Sequence, residues 1–327
     1  MARVMISDRI VTVFGGSGFI GRHVVRALAE SGWRVRNAVR RPDLANHLQP
    51  LGTVGQIQSV QANLRNEASI ARAIEGADAV VNLVGILNES GRQTFDAVNA
   101  QGARRVAEAA KAAGISAFVH MSALGADPAS PSAYARSKAA GEAAVLETLP
   151  GAIILRPSVV FGPEDDFLNK FAALARISPV LPLIGGGHTR MQPVFAGDVG
   201  AAVAAALPLD TPKLRAGVYE LGGPEVLTMR QIMDYVLKVT CRRRALVTLP
   251  FGVARMKASV LQLLPKPLLT VDQVRLLERD NVVSDDARAA KRTLENMGIR
   301  PTTMEAVVPQ YLYRFRRAGQ FTDPADA

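Results

Sequence analysis

The stretch Val11-Thr-Val-Phe-Gly-Gly-Ser-Gly-Phe-Ile-Gly21 limits what this chain can fold into more sharply than any other. The run from Ile10 to Phe14 is short, apolar and of the kind that forms a buried strand. A helical pattern runs from Phe19 to about Ser31, and Gly32 stands where a helix end takes a left-handed residue. Between them Gly15, Gly18 and Gly21 form G-x-x-G-x-x-G. Gly15 permits the sharp exit from the strand, Gly18 lets a diphosphate approach the backbone, and Gly21 lets the helix lie close to the sheet. The helix start then turns free N–H groups and a partial positive charge toward the phosphates. A glycine triplet alone is weak; a strand before it and a helix after it make the reading specific. Gly15, Gly16, Ser17, Gly18, Phe19, Ile20 and Gly21 are the first candidate cofactor contacts.

Behind this motif strands and helices alternate. Residues 33–39, 56–61, 79–84, 117–121 and 152–155 read as further strands, and 66–75, 94–113 and 132–149 as helices. Alternation of this kind, with near-continuous apolar strands, specifies an α/β fold: a Rossmann-type, doubly wound parallel sheet covered on both faces. Ligands in such sheets bind at the carboxyl ends of the strands. After Arg156-Pro157 the pattern breaks, prolines and glycines cluster from Pro179 to Gly187, and short helical stretches at 197–206 and 229–239 separate irregular segments. The expectation is an NADP-binding Rossmann domain over 1–157. A smaller, mainly helical substrate or partner lobe follows over 158–327, interleaved with the first and not an independent domain.

Strand two ends in Ala38-Val-Arg40-Arg41-Pro42, with no acid for a ribose 2′-hydroxyl. An arginine there accommodates a 2′-phosphate, which a guanidinium grips with two parallel bonds. NADP(H) is therefore expected ahead of NAD(H), through Arg40 first and Arg41 second. Asn63 and Leu64, after strand three, are placed to touch the adenine. Leu83, Val84 and Gly85, after strand four, line the path toward the nicotinamide. Tyr134 and Lys138 stand four apart, on one helix face. A nearby ammonium favours a phenolate, and such a tyrosine exchanges a proton with a carbonyl or alcohol.

Composition removes other classes of function. One cysteine in 327 residues, Cys241, excludes an internal disulfide and a thiolate cluster. The four histidines show no metal spacing, so no metal is expected; His23 and His120 are read as lying on ordinary helix and strand surfaces. Met1 to Ser7 lacks an apolar signal core, and no run of about 18 apolar residues is present to span a membrane. The net charge of +10 favours an acidic partner, while no nucleic-acid recognition module is evident.

Together these motifs resemble the extended and atypical short-chain dehydrogenase/reductases, over Ile10 to about Leu227. The resemblance takes in the glycine motif, Asn99, the Tyr134/Lys138 pair and Arg156-Pro157-Ser158-Val159-Val160-Phe161-Gly162. It also takes in Gln192 to Val199 and Leu221-Gly222-Gly223-Pro224. It implies that backbone at Pro157 and Val159 closes over the nicotinamide, that Lys138 also holds the ribose, and that a catalytic hydroxyl follows strand five. Ser122 or Ala123 fills that last position; with Ala123 the triad is incomplete and Tyr134 and Lys138 serve binding alone. A narrower resemblance is to the NADPH-bearing Rossmann-fold accessory subunits of respiratory complex I and their bacterial relatives. It rests on Phe118 to Leu124, Phe161 to Phe171 and Leu276-Leu-Glu-Arg-Asp-Asn-Val-Val-Ser284. It implies complex I subunits as partners, a nucleotide held structurally, and a peripheral place on the cytoplasmic side of the inner membrane. The alternative is an active NADP-dependent reductase, epimerase or dehydratase using Tyr134 and Lys138 on a small carbonyl or nucleotide-sugar substrate.

One segment stands apart from the nucleotide motifs. Residues 235–271 contain no acid but carry Lys238, Arg242, Arg243, Arg244, Arg255, Lys257 and Lys266 among apolar residues. A helix is expected over 252–264, ended by Pro265. The segment reads either as a basic-edged core element or as a dock for an anionic membrane surface or an acidic protein.

Overall fold

The structure is a computed structural model that describes residues 6–210, 214–264 and 269–317; the helix stop at Pro265, Lys266 and the polar tail from Phe321 lie outside the described residues. The chain forms two compact units. The first comprises Met1–Pro157, Ala196–Leu221 and Ser284–Arg300, and the second Ser158–Phe195, Gly222–Val283 and Pro301–Ala327.

The first unit is a seven-stranded parallel sheet with helices against it. Its first six strands are β1 (Ile10–Phe14), β2 (Arg34–Val39), β3 (Ile57–Gln61), β4 (Ala79–Asn82), β5 (Ala117–Met121) and β6 (Ile153–Pro157). The order is Gly217–Leu221, β6, β5, β4, β1, β2, β3. The pattern up to residue 157 predicts six strands; the seventh, Gly217–Leu221, comes from beyond the break and pairs in parallel with β6. Strands buried on both faces explain the continuous apolar runs: Val11, Val13, Val80 and Val81 have no exposed surface. Each such valine contributes about 1.5–3 kcal/mol relative to an exposed one.

Helix α1 (Phe19–Glu30) buries Gly21, Val24, Val25, Leu28 and Ala29 along one stripe. It stops where Gly32 takes φ +89°. The helix Ala196–Ala206 packs on α1 so closely that a Cβ on Gly200 would lie 2.7 Å from the His23 carbonyl oxygen. Helix α2 (Glu67–Ile74) is capped by Asn66, and α4 (Ala133–Thr148) by Ser132, each accepting from the backbone N–H of the third residue of its helix. The helix expected over 94–113 is in two parts: a π-helical turn at Asp96–Ala100, then α3 (Gln101–Ala112).

The second unit holds its own core, with Phe161, Leu168, Ile232, Met233, Val236, Val308 and Leu312 in one cluster. Its helices, Leu168–Ile177, Met229–Val239 and Phe251–Leu261 among them, are joined by three short strand pairs that the sequence pattern does not predict. The longest pairs Val180–Ile184 with Ala245–Leu249 in parallel. Pro182 disguises it, because proline in a strand is tolerated where no ladder bond is needed.

Candidate functional site

The sheet order reverses between β4 and β1, the place where an open α/β sheet leaves a crevice at its carboxyl edge. The glycine turn sits there. Leu83 N–H donates to the Phe14 carbonyl at 3.0 Å, and Gly15 N–H to the Ala38 carbonyl at 3.3 Å, so the turn is tied to the ends of β4 and β2. Gly15 has φ +84°. A Cβ on Gly21 would collide with the Gly15 carbonyl oxygen and with the Gly16 backbone, so α1 can approach only with glycine there. Gly18 differs: its Cβ would meet the Gly15 oxygen alone, at 3.4 Å, an ordinary contact. The fold itself leaves the space beside Gly18 free.

Arg40 and Arg41 are exposed just past β2. Arg40 Nη1 donates to Gln93 Oε1 at 2.9 Å, which ties its guanidinium to the loop after β4. Asn63 and Leu64 follow β3. The Asn63 side chain turns back to accept from Arg65 N–H, and Leu64 packs on the sheet core and against Gly102. After β4, Val84 N–H donates to Asn82 Oδ1, and Gly85 brings its Cα beside two other candidates. A Cβ there would lie 3.5 Å from Asn99 Oδ1 and 3.6 Å from Lys138 Nζ.

Asn99 lies in the π-helical turn, a distortion frequent at functional sites. It is buried, accepts from Ile86 N–H at 3.0 Å and donates to Ser137 Oγ at 3.0 Å. Ser137 in turn donates to the Tyr134 carbonyl. Lys138 Nζ donates to the Met121 carbonyl at 2.6 Å. Tyr134 meets Phe95 edge to face, with ring centres 5.9 Å apart. The structure therefore brings Gly85, Asn99, Tyr134 and Lys138 to one end of the sheet.

The expected electrostatics of the pair are corrected. The spacing predicts a phenol lowered by its lysine; instead burial pushes the Tyr134 phenol up to about 12. Burial also pulls Lys138 down to about 8, against an opposing pull from Glu142. The ammonium is committed to a carbonyl, and desolvation of the phenolate prevails.

Ser122 is buried at the end of β5, its N–H bound to the Leu155 carbonyl, and its Oγ has no partner among the described residues. Ala123 beside it is half-buried. Pro157 accepts from Leu124 N–H at 2.9 Å, which ties the loop after β5 to β6. Val159 belongs to the second unit, where its N–H donates to Asn281 Oδ1 at 3.0 Å.

His120 is corrected too: it is fully buried, on β5 opposite Asn82 of β4. Val84 N–H fixes the Asn82 amide, so Nδ2 faces His120 Nδ1, 3.3 Å away. Burial, and then the Lys138 charge, hold His120 well below its ordinary pKa. Two polar residues escape a reading from sequence: Asn37, whose side chain a Cβ on Gly16 would strike, and Gln93; Asn281 stands in the stretch Leu276 to Ser284, but its bonds to Ser158 and Val159 are not legible there. A polar residue inside an apolar strand, as at Asn37 and His120, is the signal that marks two buried groups of this kind.

The model of the NAD dependent epimerase/dehydratase family matches residues 11–222. The chain belongs to that family. It is similar over nearly its whole length to the Arabidopsis thaliana protein named NADH dehydrogenase (ubiquinone) 1 alpha subcomplex subunit 9, mitochondrial. Identity is 35% over 328 residues, covering 97% of this chain and 80% of the relative. It is also 35% identical over 243 residues to the ceramide reductase of Caulobacter vibrioides, covering 74% of each chain. Among solved structures, an NADPH-dependent quinone oxidoreductase from Escherichia coli complexed with NADPH superposes with a TM-score of 0.71. Identity there is 22%, covering 93% of this chain and 99% of that one. This family member thus has relatives among NAD(P)-binding proteins and among complex I subunits. No helix among its described residues is long and apolar enough to cross a membrane.

Proposed function

We propose that this chain binds NADP(H) and serves as an accessory subunit of respiratory complex I, in which the nucleotide holds the protein's structure. The observation that carries the reading lies beyond residue 222, where the family model ends. Similarity to the complex I subunit continues over 97% of the chain. Within that region the stretch Leu276 to Ser284 does defined work, through residues of the second unit. Asn281 Oδ1 accepts from Ser158 Oγ at 2.7 Å and from Val159 N–H at 3.0 Å, and Asp280 pairs with Arg190.

The site's residues fit a dinucleotide. Gly15 to Gly21 and the α1 N-terminus suit the diphosphate, the space at Gly18 being left open by the fold. Arg40, held by Gln93, suits a 2′-phosphate, with Arg41 beside it. Asn63 and Leu64 suit the adenine, Leu83 to Gly85 the path onward, Tyr134 and Lys138 the nicotinamide ribose, and Pro157 the ring. When bound, the nicotinamide supplies hydride chemistry; a raised Tyr134 and a Lys138 spent on Met121 suit binding better than proton transfer. The chain's place is peripheral, on the cytoplasmic side of the inner membrane, with residues 235–271 toward an anionic surface.

The second reading is a reductase. Similarity to the ceramide reductase favours it, as does the convergence of Asn99, Tyr134 and Lys138. Tyr134 would then hold the proton at its phenol oxygen. Native purification with mass spectrometry of co-migrating proteins tests the choice. Co-migration with complex I is expected, with NADPH absorbance stable across a carbonyl substrate screen. A free oligomer with robust turnover lost in Tyr134→Phe would overturn the structural role.

A further inference from the structure

We propose that Arg176, Arg242, Arg243, Arg244, Arg316 and Arg317 form one site for headgroup phosphates, by which the second unit lies on an anionic phospholipid bilayer. The inference deepens the peripheral placement above and rests on it.

Three chain segments far apart in sequence are tied together by the arginines themselves. Arg242 Nε donates to the Phe315 carbonyl at 2.9 Å, Arg316 Nε to the Val239 carbonyl at 2.9 Å, and Arg244 Nε to the Ala175 carbonyl at 2.8 Å. Val239 and Phe315 are the last residues of their helical elements, and Ala175 lies in the last turn of Leu168–Ile177. Carbonyls at helix ends carry partial negative charge and attract cations. Each of the three arginines thus spends its Nε inward. A guanidinium has five donors, so terminal N–H groups remain for a ligand. Arg243 and Arg317 stand exposed next to anchored arginines in sequence, and Arg176, also exposed, directly follows Ala175, whose carbonyl holds Arg244.

No carboxylate among the described residues forms an ion pair with any of the six. Arg242 is lowered by burial first, and then by the charges of Arg244, Arg317 and Arg176. A cluster of like charges without a counter-charge is relieved by an external anion. The bend that opens the run is itself costly, because Cys241 holds φ +52°, a conformation that non-glycine residues seldom adopt.

Aliphatic side chains beside the cluster select a bilayer over an acidic protein. Ile177, directly after Arg176, is 83% exposed. In the strand pair Val180–Ile184 and Ala245–Leu249, Leu181 and Leu183 are buried while Val180, Pro182 and Val247 face outward. The next helix, Phe251–Leu261, exposes Met256 and Val260 by 65% and 67%, next to Lys257 and to Arg255, which pairs with Glu278. Protein hot spots favour Trp, Tyr and Arg seated in well-packed pockets. Scattered aliphatics edged by cations suit the boundary between headgroups and acyl chains.

Flotation of the full-length purified protein with phosphatidylcholine vesicles, with and without phosphatidylglycerol, tests the site. The protein should float only with phosphatidylglycerol. Arg176→Glu, Arg243→Glu and Arg317→Glu together, exposed side chains that make none of the three carbonyl bonds, should lower the partition by roughly 100-fold or more. NADPH affinity should stay unchanged and report an intact fold. Equal flotation with neutral vesicles, or full flotation of the triple variant, overturns the site. So does a protein that ignores vesicles yet binds inorganic phosphate, or that joins complex I only through its subunits. A protein that floats as expected but never co-migrates with complex I sinks the subunit reading and leaves the lipid site standing.

Discussion

Lys138 in the first unit and Arg242 in the second are both cations held below their ordinary pKa, and the two units treat them differently. Around Lys138 the fold supplies its own compensation. Its ammonium meets a backbone carbonyl, and Glu142, buried one turn on, raises its pKa. Glu142 also receives Arg156 through two bonds of 2.9 and 2.6 Å, and Arg156 reaches Glu220 as well. Around Arg242 the nearby charges are of its own sign. A fold that solves its electrostatics internally is committed to a cofactor-scale interior; one that leaves them open is matched from outside. Mutations should therefore damage the first unit through stability and the second through association.

The largest effect is expected at Glu142. Glu142→Gln leaves half-buried Arg156 with only its longer contact to Glu220 and removes the charge that supports Lys138. Breaking one partner of such a pair costs about 3 kcal/mol, measurable by denaturant unfolding; a cost near zero would show that the compensation is not internal. Next come the glycines. Gly21→Ala forces a Cβ into backbone and should cost about 1–3 kcal/mol. Gly18→Ala meets only an ordinary contact, so it should leave thermal stability nearly unchanged while weakening NADPH in calorimetry. Arg40→Asp should cost about 1.5–3 kcal/mol in NADPH affinity and narrow or reverse the preference over NADH; equal affinity for both nucleotides in the unmutated protein would remove the arginine from that role.

The pH dependence sharpens the contrast further. His120 has a folded pKa below its ordinary 6.5, so below that value the unfolded chain binds a proton that the folded chain does not. Stability should fall as pH drops through that range, and His120→Gln should flatten the fall. Lys138 acts at the other end: between about 8 and its ordinary 10.5 the unfolded chain again holds the extra proton, so stability from this group rises with pH. Smallest of all, Arg243→Ala should change stability by less than about 0.5 kcal/mol, because its side chain is exposed.

Much of the first unit is legible because its signals are local. The periodicity of β1 and α1 and the glycines between them sit within about twenty residues, and the crevice follows from strand alternation. The strand Gly217–Leu221 is not legible, since its pairing with β6 is decided by a neighbour about sixty residues away. The strand at 180–184 hides behind Pro182 and the glycines that follow. In the site, the spacing of Tyr134 and Lys138 is visible but the direction of the phenol's shift is not, because it depends on burial and on where Nζ points. The acid-free run 235–271 is visible as charge; Arg176, Arg316 and Arg317 join it only through carbonyls in three separate elements.

The division of the chain also sets the order in which the molecule can be made. The first unit takes its seventh strand and the helix that packs on α1 from residues 196–221, and its last segment from 284–300. On a ribosome adding roughly 5–20 residues per second, the glycine turn emerges early and then waits on the order of ten seconds for the pieces that finish its sheet. From the synthesis of residue 157 until that of residue 221, β6 presents an unpaired, apolar edge, which is a template for strand addition by another chain. A protein built this way calls for chaperone cover during synthesis, and a fragment cut at residue 157 should aggregate when expressed alone.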